Sequence, residues 1–336
     1  MSRLLTRALV IAVAAVAAAA APATAVAAPA IGGISAHPVT LDGRALPDDT
    51  AFIAVERPAP SQFTTSIEVS NASDRAIPVR IAAVDTTTSE NGGTAFLATD
   101  SPRSGAGAWI SPGRQALTLG ADSTTRLDFK VRVPVGAEPG DHVGGIVIEP
   151  VRRVRLDSTA DITRIVRVAM AVQVTVPGKA SREVGVSRLR FTRDEAGGPP
   201  TVSVQLANTG ARLCRPALTA TFSTDGRVRT SERRRVDTLL PDTAVDYALR
   251  WSRKVPDGTY DLQVRTEGCG APSAVHENLT IDTAGNVRVA SATPALEPRV
   301  TGRSDTIQLI GLGAVLFAAA ATGWSLARRR PRRSAR

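Results

Sequence analysis

The chain predicts an all-β protein of two tandem immunoglobulin-like β-sandwiches, with an N-terminal signal peptide and one C-terminal transmembrane helix. Three observations predict it. The apolar pattern between residues 28 and 306 repeats every second residue, not every 3.6. Turn-forming clusters punctuate that pattern at short intervals. Uncharged apolar runs flanked by arginine sit at both ends.

The N-terminal element spans residues 1–27. Arg3 and Arg7 supply a charged leader to the 14 apolar residues Ala8–Ala21. That run is short for a membrane span and right for the apolar region of a secretory signal. Ala25-Val26-Ala27 places small residues at a cleavage position.

The C-terminal element is Ile307–Ala327, 21 residues without a charge. As a helix it is about 31 Å long, one bilayer core. Arg328, Arg329, Arg330, Arg332, Arg333 and Arg336 follow in the basic tail 328–336. The positive-inside rule then puts the C-terminus in the cytoplasm and the ectodomain on the cell-wall side of the membrane. Leu296-Glu297-Pro298-Arg299-Val300-Thr301-Gly302 does not spell a sortase signal, so the helix reads as retained.

Charge at first suggests a nucleic-acid partner, since the chain is +10 overall. Between residues 28 and 306, however, 33 basic side chains face all 31 acidic ones. The excess sits at the ends, where its meaning is topological, and no nucleic-acid partner is expected. Only Lys130, Lys179 and Lys254 are lysine among the 41 basic residues, a bias of high-GC codon usage that suggests an actinobacterium.

The strands follow in order. Leu127-Asp128-Phe129-Lys130-Val131-Arg132-Val133 alternates apolar and charged residues. Val166–Val176, Val202–Leu206 and Leu218–Phe222 alternate in the same way. Such strands bury one face and wet the other. Turns fall at Asn71-Ala72-Ser73-Asp74, Asn91-Gly92-Gly93, Pro139-Gly140-Asp141, Asn208-Thr209-Gly210 and Asp257-Gly258.

The pattern also repeats. Ile67-Glu68-Val69-Ser70-Asn71 and Val79-Arg80-Ile81 match Val204-Gln205-Leu206-Ala207-Asn208 and Leu218-Thr219-Ala220. Val133-Pro134 with Pro139-Gly140-Asp141-His142 matches Val255-Pro256 with Asp257-Gly258-Thr259-Tyr260. The cadence predicts one immunoglobulin-like module over 31–178 and a second over 182–283, with 284–306 as a tether.

Three stretches carry a family resemblance: Val84–Gly93, Gly107-Ala108-Trp109-Ile110, and Val133-Pro134 followed by Glu138–Val147. In spacing and order they resemble the WxL-interacting protein family (DUF916) of Gram-positive surface proteins, most specifically over about 65–178. The resemblance implies a peptidoglycan-binding first sandwich and a host-binding second one. It marks the loops holding Asp85, Asn91 and Trp109 as candidate contacts. The partners expected are peptidoglycan or another wall polymer, and a surface or secreted protein.

No catalytic set stands out. His37, His142 and His276 form no zinc-protease pattern, and no nucleophile elbow or phosphate loop is present. No catalytic, metal or cofactor residue is assigned. Asp141-His142 is half of an acid–base pair or a turn-and-strand element; Thr259-Tyr260 at the matching place favours the latter. Arg152, Arg153 and Arg155 form a basic cluster, either a solvated face or a contact for anionic wall polymer. Cys214 and Cys269 lie together in the second module, where an external compartment oxidises a pair to a disulfide; free thiols are the alternative. The function expected is membrane-anchored scaffolding. The alternatives are a membrane-tethered two-sandwich chaperone for a secreted subunit, which caps a partner's strand by edge pairing, and a cell-wall enzyme.

Overall fold

A computed structural model describes residues 33–151, 154–155, 163–164, 167–192, 201–251, 255–282 and 287–289. The predicted signal, transmembrane helix and basic tail lie outside the described residues. Among those described, no helix is long and apolar enough to cross a membrane.

The described chain is all-β. The first half comprises β1 (Ile34–Leu41), β2 (Arg44–Ala45), β3 (Ile53–Glu56), β4 (Ser61–Asn71), β5 (Ile77–Thr88), β6 (Thr94–Phe96), β7 (Ile110–Pro112), β8 (Ala116–Leu119), β9 (Ser123–Val133), β10 (Gly140–Pro150), β11 (Val154–Arg155), β12 (Thr163–Arg164) and β13 (Val168–Val176). A short 3₁₀ turn, Ala106–Trp109, precedes β7. The second half comprises β14 (Val184–Thr192), β15 (Thr201–Asn208), β16 (Ala217–Thr224), β17 (Arg227–Arg235), β18 (Thr243–Arg250), β19 (Gly258–Glu267), β20 (Ser273–Ile281) and β21 (Val287–Val289).

In the first half one sheet runs β2-β1-β4-β9-β7 and the other β3-β13-β10-β5-β6, with β8 also on β5. In the second half the sheets are β14-β15-β18 and β17-β16-β19-β20-β21. All pairs are antiparallel except β3 with β13. Pairing β4 with β9 and β15 with β18 puts sequence-distant strands side by side, as in an immunoglobulin-like sandwich.

Alternation along each strand builds the cores. In β9, Leu127, Phe129, Val131 and Val133 are buried while Arg126, Asp128, Lys130 and Arg132 are exposed. Each half has its own apolar cluster. Phe63, Ile67, Ile81, Phe129, Ile146 and Val172 belong to the first. Val204, Leu206, Phe222, Leu239, Trp251 and Leu262 belong to the second. Phe222 anchors the second core, with Trp251, Tyr260 and Phe191 packed edge-on around it.

The repeat has a physical basis. Asn71 and Asn208 are buried at the ends of matching strands, β4 and β15. Each amide donates to the carbonyl four residues on, Arg75 or Arg212, and to a distant one, Gly120 or Leu239. Each side-chain oxygen accepts the N–H two residues on, from Ser73 or Gly210. A buried asparagine thus satisfies the turn's backbone, which apolar residues cannot do. The second matching pair behaves likewise: His142 Nε2 bonds the Glu138 carbonyl at 2.8 Å, and the Tyr260 hydroxyl donates to Pro256 at 2.9 Å.

One boundary is corrected. The 284–306 tether begins with structure, because β21 pairs with β20 and Val287 packs on the second core. Its apolar residues Val287 and Val289 extend the sheet by one edge strand.

Candidate functional site

The second sandwich docks directly on one end of the first. Asp141, at the start of β10, is the centre of the contact. Its Oδ1 lies 3.1 Å from an Arg212 guanidinium nitrogen and accepts the Thr175 hydroxyl at 2.6 Å. Its Oδ2 accepts the Leu213 N–H at 2.9 Å, and its own N–H donates to the Ala211 carbonyl. Glycine is required just before it: Gly140 has φ +153°, and a Cβ there would lie 2.5 Å from the Ala211 oxygen. Across the joint, Thr88 and Thr243 hydroxyls meet at 2.6 Å, and the Leu240 N–H donates to Thr88. Gly93 N–H donates to the Thr238 carbonyl. Backbone and side-chain bonds from three separate strand ends therefore fix one sandwich against the other.

Beside the joint opens a cleft of about 480 Å³, lined by Phe52, Gln173, Arg182, Arg215 and Thr238 among others. Asp242 also faces the joint. Its burial, then the charge of Glu138, raises its carboxyl above the ordinary 3.8, with His142 pulling the other way.

The candidate residues named from sequence do not form one cluster. Asp85 is 9% exposed, and its carboxylate accepts backbone N–H groups of Ser104, Gly105 and Gly107 at 2.7–2.9 Å. It organises the loop that leads into the 3₁₀ turn. A Cβ on Gly107 would run into the Val84 carbonyl, so the loop needs glycine at its closest approach. Trp109 is half-buried on the first core, its ring 4.7 Å from that of His142. Asn91 is exposed in the Ser89–Gly93 turn, which rests against Asp237 and Thr238 of the second sandwich. Arg152 and Arg153 lie outside the described residues, and Arg155 stands in β11 with its side chain outside them. Cys214 and Cys269 are joined by a disulfide, Cα to Cα 6.0 Å, with both residues inside the second core. Asp141 is committed to the joint, so it makes no acid–base pair with His142. Among the described residues no cluster of His, Cys, Asp or Glu could hold a metal ion.

Sequence reasoning missed Asp141 as a joint residue and missed the free edges. In the first sandwich the terminal strands β2, β3, β6 and β7 have only 2, 4, 3 and 3 residues. In the second, β14, β17 and β18 have 9, 9 and 8. β14 is tied to the opposite sheet through Val186 N–H to Ser273 and the Thr266 hydroxyl to Val184. β18 enters the joint at Thr243. β17 pairs with β16 on one side, and no described strand pairs with its other side.

No protein-family model matches the chain, and no curated protein matches it. Solved structures similar to it include chaperones, at low similarity. One is from a chaperone–tip adhesin complex of CFA/I fimbriae, with 11% identity, TM-score 0.33, and 78% of this chain and 99% of that one covered. Another is the E. coli chaperone DraB, at 13%, 0.29, 78% and 99%. A third is the Pseudomonas aeruginosa CupB2 chaperone, at 12%, 0.29, 74% and 99%.

Proposed function

We propose that this chain is a non-catalytic, membrane-tethered binding protein whose second sandwich holds an extended segment of a surface or secreted protein, in the manner of a chaperone or scaffold. One observation carries the reading: among the described residues β17 of the second sandwich is open along the outer side of all its 9 residues, whereas the outer edges of β1, β9 and β13 in the first are each interrupted by a short strand, β2, β7 or β3. An open edge offers a row of backbone donors and acceptors that a partner strand can complete. The joint at Asp141 supports it by holding that edge at a fixed orientation. The predicted signal and helix support a position outside the cytoplasm.

Wall binding by the first sandwich is a second reading. The family resemblance over 65–178 and the arginines around β11 favour it. Against it stand the internal use of Asp85 and the near neutrality of the first sandwich, with 16 acidic against 14 basic residues over 31–178. Co-sedimentation of the detergent-solubilised full chain with purified peptidoglycan separates the two. The main reading expects the chain in the supernatant. Salt-sensitive pelleting, lost on changing Arg152, Arg153 and Arg155 together, would establish the second.

A further inference from the structure

On the protein-binding reading, the partner needs a defined site on the second sandwich. We propose that β17 is an augmentation edge for an acidic, extended polypeptide segment of a partner protein.

The strand reads Arg-Val-Arg-Thr-Ser-Glu-Arg-Arg-Arg, with 5 arginines and 1 acid in 9 residues. Arg234 pairs with Glu232 at 3.0 Å, and Arg233 reaches Glu267 only at 4.0 Å. Glu267 is drawn closer to Arg265, at 3.3 Å. Among the described residues Arg227, Arg229 and Arg235 have no carboxylate within ion-pair distance. By register Arg233 and Arg235 stand opposite Thr219 and Ala217, on the outer face of the sheet. On the other face Arg234 stands with its partner Glu232 and Arg227 stands opposite Thr224, so an added strand meets positive charge on both sides.

This arrangement selects its occupant. Opposed cationic strands repel, so a second copy of β17 or a basic segment is rejected. A neutral strand gains hydrogen bonds but leaves the arginines uncompensated. A strand with a carboxylate at alternate positions gains the hydrogen bonds and cross-strand charge pairs together. The start of β17 adds a third contact. Val228 is 65% exposed where the register of the β16–β17 pair shifts. Beside it a groove of about 570 Å³ is lined by Thr224, Arg229, Thr230, Pro256 and Tyr260 among others. It has room for an apolar side chain at one end of the acidic segment.

The test uses the full-length chain in detergent and a short, end-blocked, fluorescent peptide of alternating Glu and Thr. Fluorescence anisotropy reads binding, and hydrogen–deuterium exchange reads the amides of residues 227–235. The proposal expects binding that weakens as salt is raised, together with slowed exchange along β17. The Arg229→Glu, Arg235→Glu double variant, with unchanged melting, should bind at least about tenfold more weakly. The same peptide N-methylated at alternate residues keeps its charge but loses backbone donors, and it should not bind. If the methylated peptide or inorganic polyphosphate binds equally well without slowing exchange, β17 is an anion patch and the proposal is overturned. If the Glu–Thr peptide does not bind at all, the proposal also fails. The protein-binding reading then stands or falls separately, on whether cross-links form from other faces of the second sandwich.

Discussion

Asp141 of the first sandwich and Arg212 of the second form an ion pair at 3.1 Å in which the side chains are 9% and 20% exposed. The pair does not act alone, because the same carboxylate also holds the Thr175 hydroxyl and the Leu213 N–H. Shielded from solvent and sharing partners, it differs from the exposed pairs elsewhere, which contribute little.

Asp141→Ala should therefore loosen the joint without unfolding either core. It leaves a guanidinium and an N–H without their acceptor, a cost of about 2 kcal/mol. Hydrogen exchange should quicken at the joint amides of Gly93, Leu213 and Leu240. Exchange in β4 and β16 should stay unchanged. Uniform quickening throughout the chain would contradict a local role.

Asp85→Ala should cost about 3 kcal/mol, since three N–H groups lose a charged acceptor. Thermal melting measures the loss, and exchange in residues 103–109 localises it. Asp85→Asn should recover part, because one carbonyl oxygen remains as an acceptor. A variant with unchanged melting but altered ligand binding would assign Asp85 a contact role instead.

Reduction of Cys214–Cys269 opens a constraint spanning 55 residues. In the chain-entropy model this destabilises the second sandwich by about 4 kcal/mol. Differential scanning calorimetry of the Cys214→Ser, Cys269→Ser chain should show a lowered transition for the second core and a smaller change for the first. Equal lowering of both would mean that the joint couples them into one cooperative unit.

The pH response at the joint has a definite sign. The folded state holds the Asp242 proton more tightly than the ordinary 3.8 implies, through burial first and Glu138 second. This contribution is therefore full below about pH 4 and is lost as pH rises through the raised folded value. Asp42 acts oppositely: the Thr64 N–H, reinforced by Arg57, lowers its carboxyl, so its contribution is lost as pH falls. Asp242→Asn suits the left-handed φ of 55° at that position and removes the charge. It should melt slightly higher than the parent at pH 7, with the difference vanishing in acid. A lower melting point at pH 7 would show that the carboxylate makes a favourable contact.

Much of the fold was legible because it is written locally. Alternation from Leu127 to Val133 names the buried face of β9 without reference to any other strand. The repeated Asn71 and Asn208 were legible as turns, and their burial explains why the turn residue is asparagine in both sandwiches. The joint was not legible, because Asp141 and Arg212 are 71 positions apart and Thr88 and Thr243 are 155 apart. No periodicity links them. The structural role of Asp85 was not legible for a related reason: its partners are backbone N–H groups, which leave no side-chain signature in sequence. The arginines of β17 lie close together in the sequence, but only the sheet order shows that they line an edge.

Photo-crosslinking in intact cells decides whether the second sandwich is the protein-binding one. A photoreactive residue is placed in the full chain at Thr221 or Arg229 of the second sandwich, and at Arg126 or Arg132 of the first. One defined protein adduct is expected, identical from Thr221 and Arg229 and absent from Arg126 and Arg132. Adducts to wall fragments from Arg126 or Arg132, with none from the second sandwich, would contradict it.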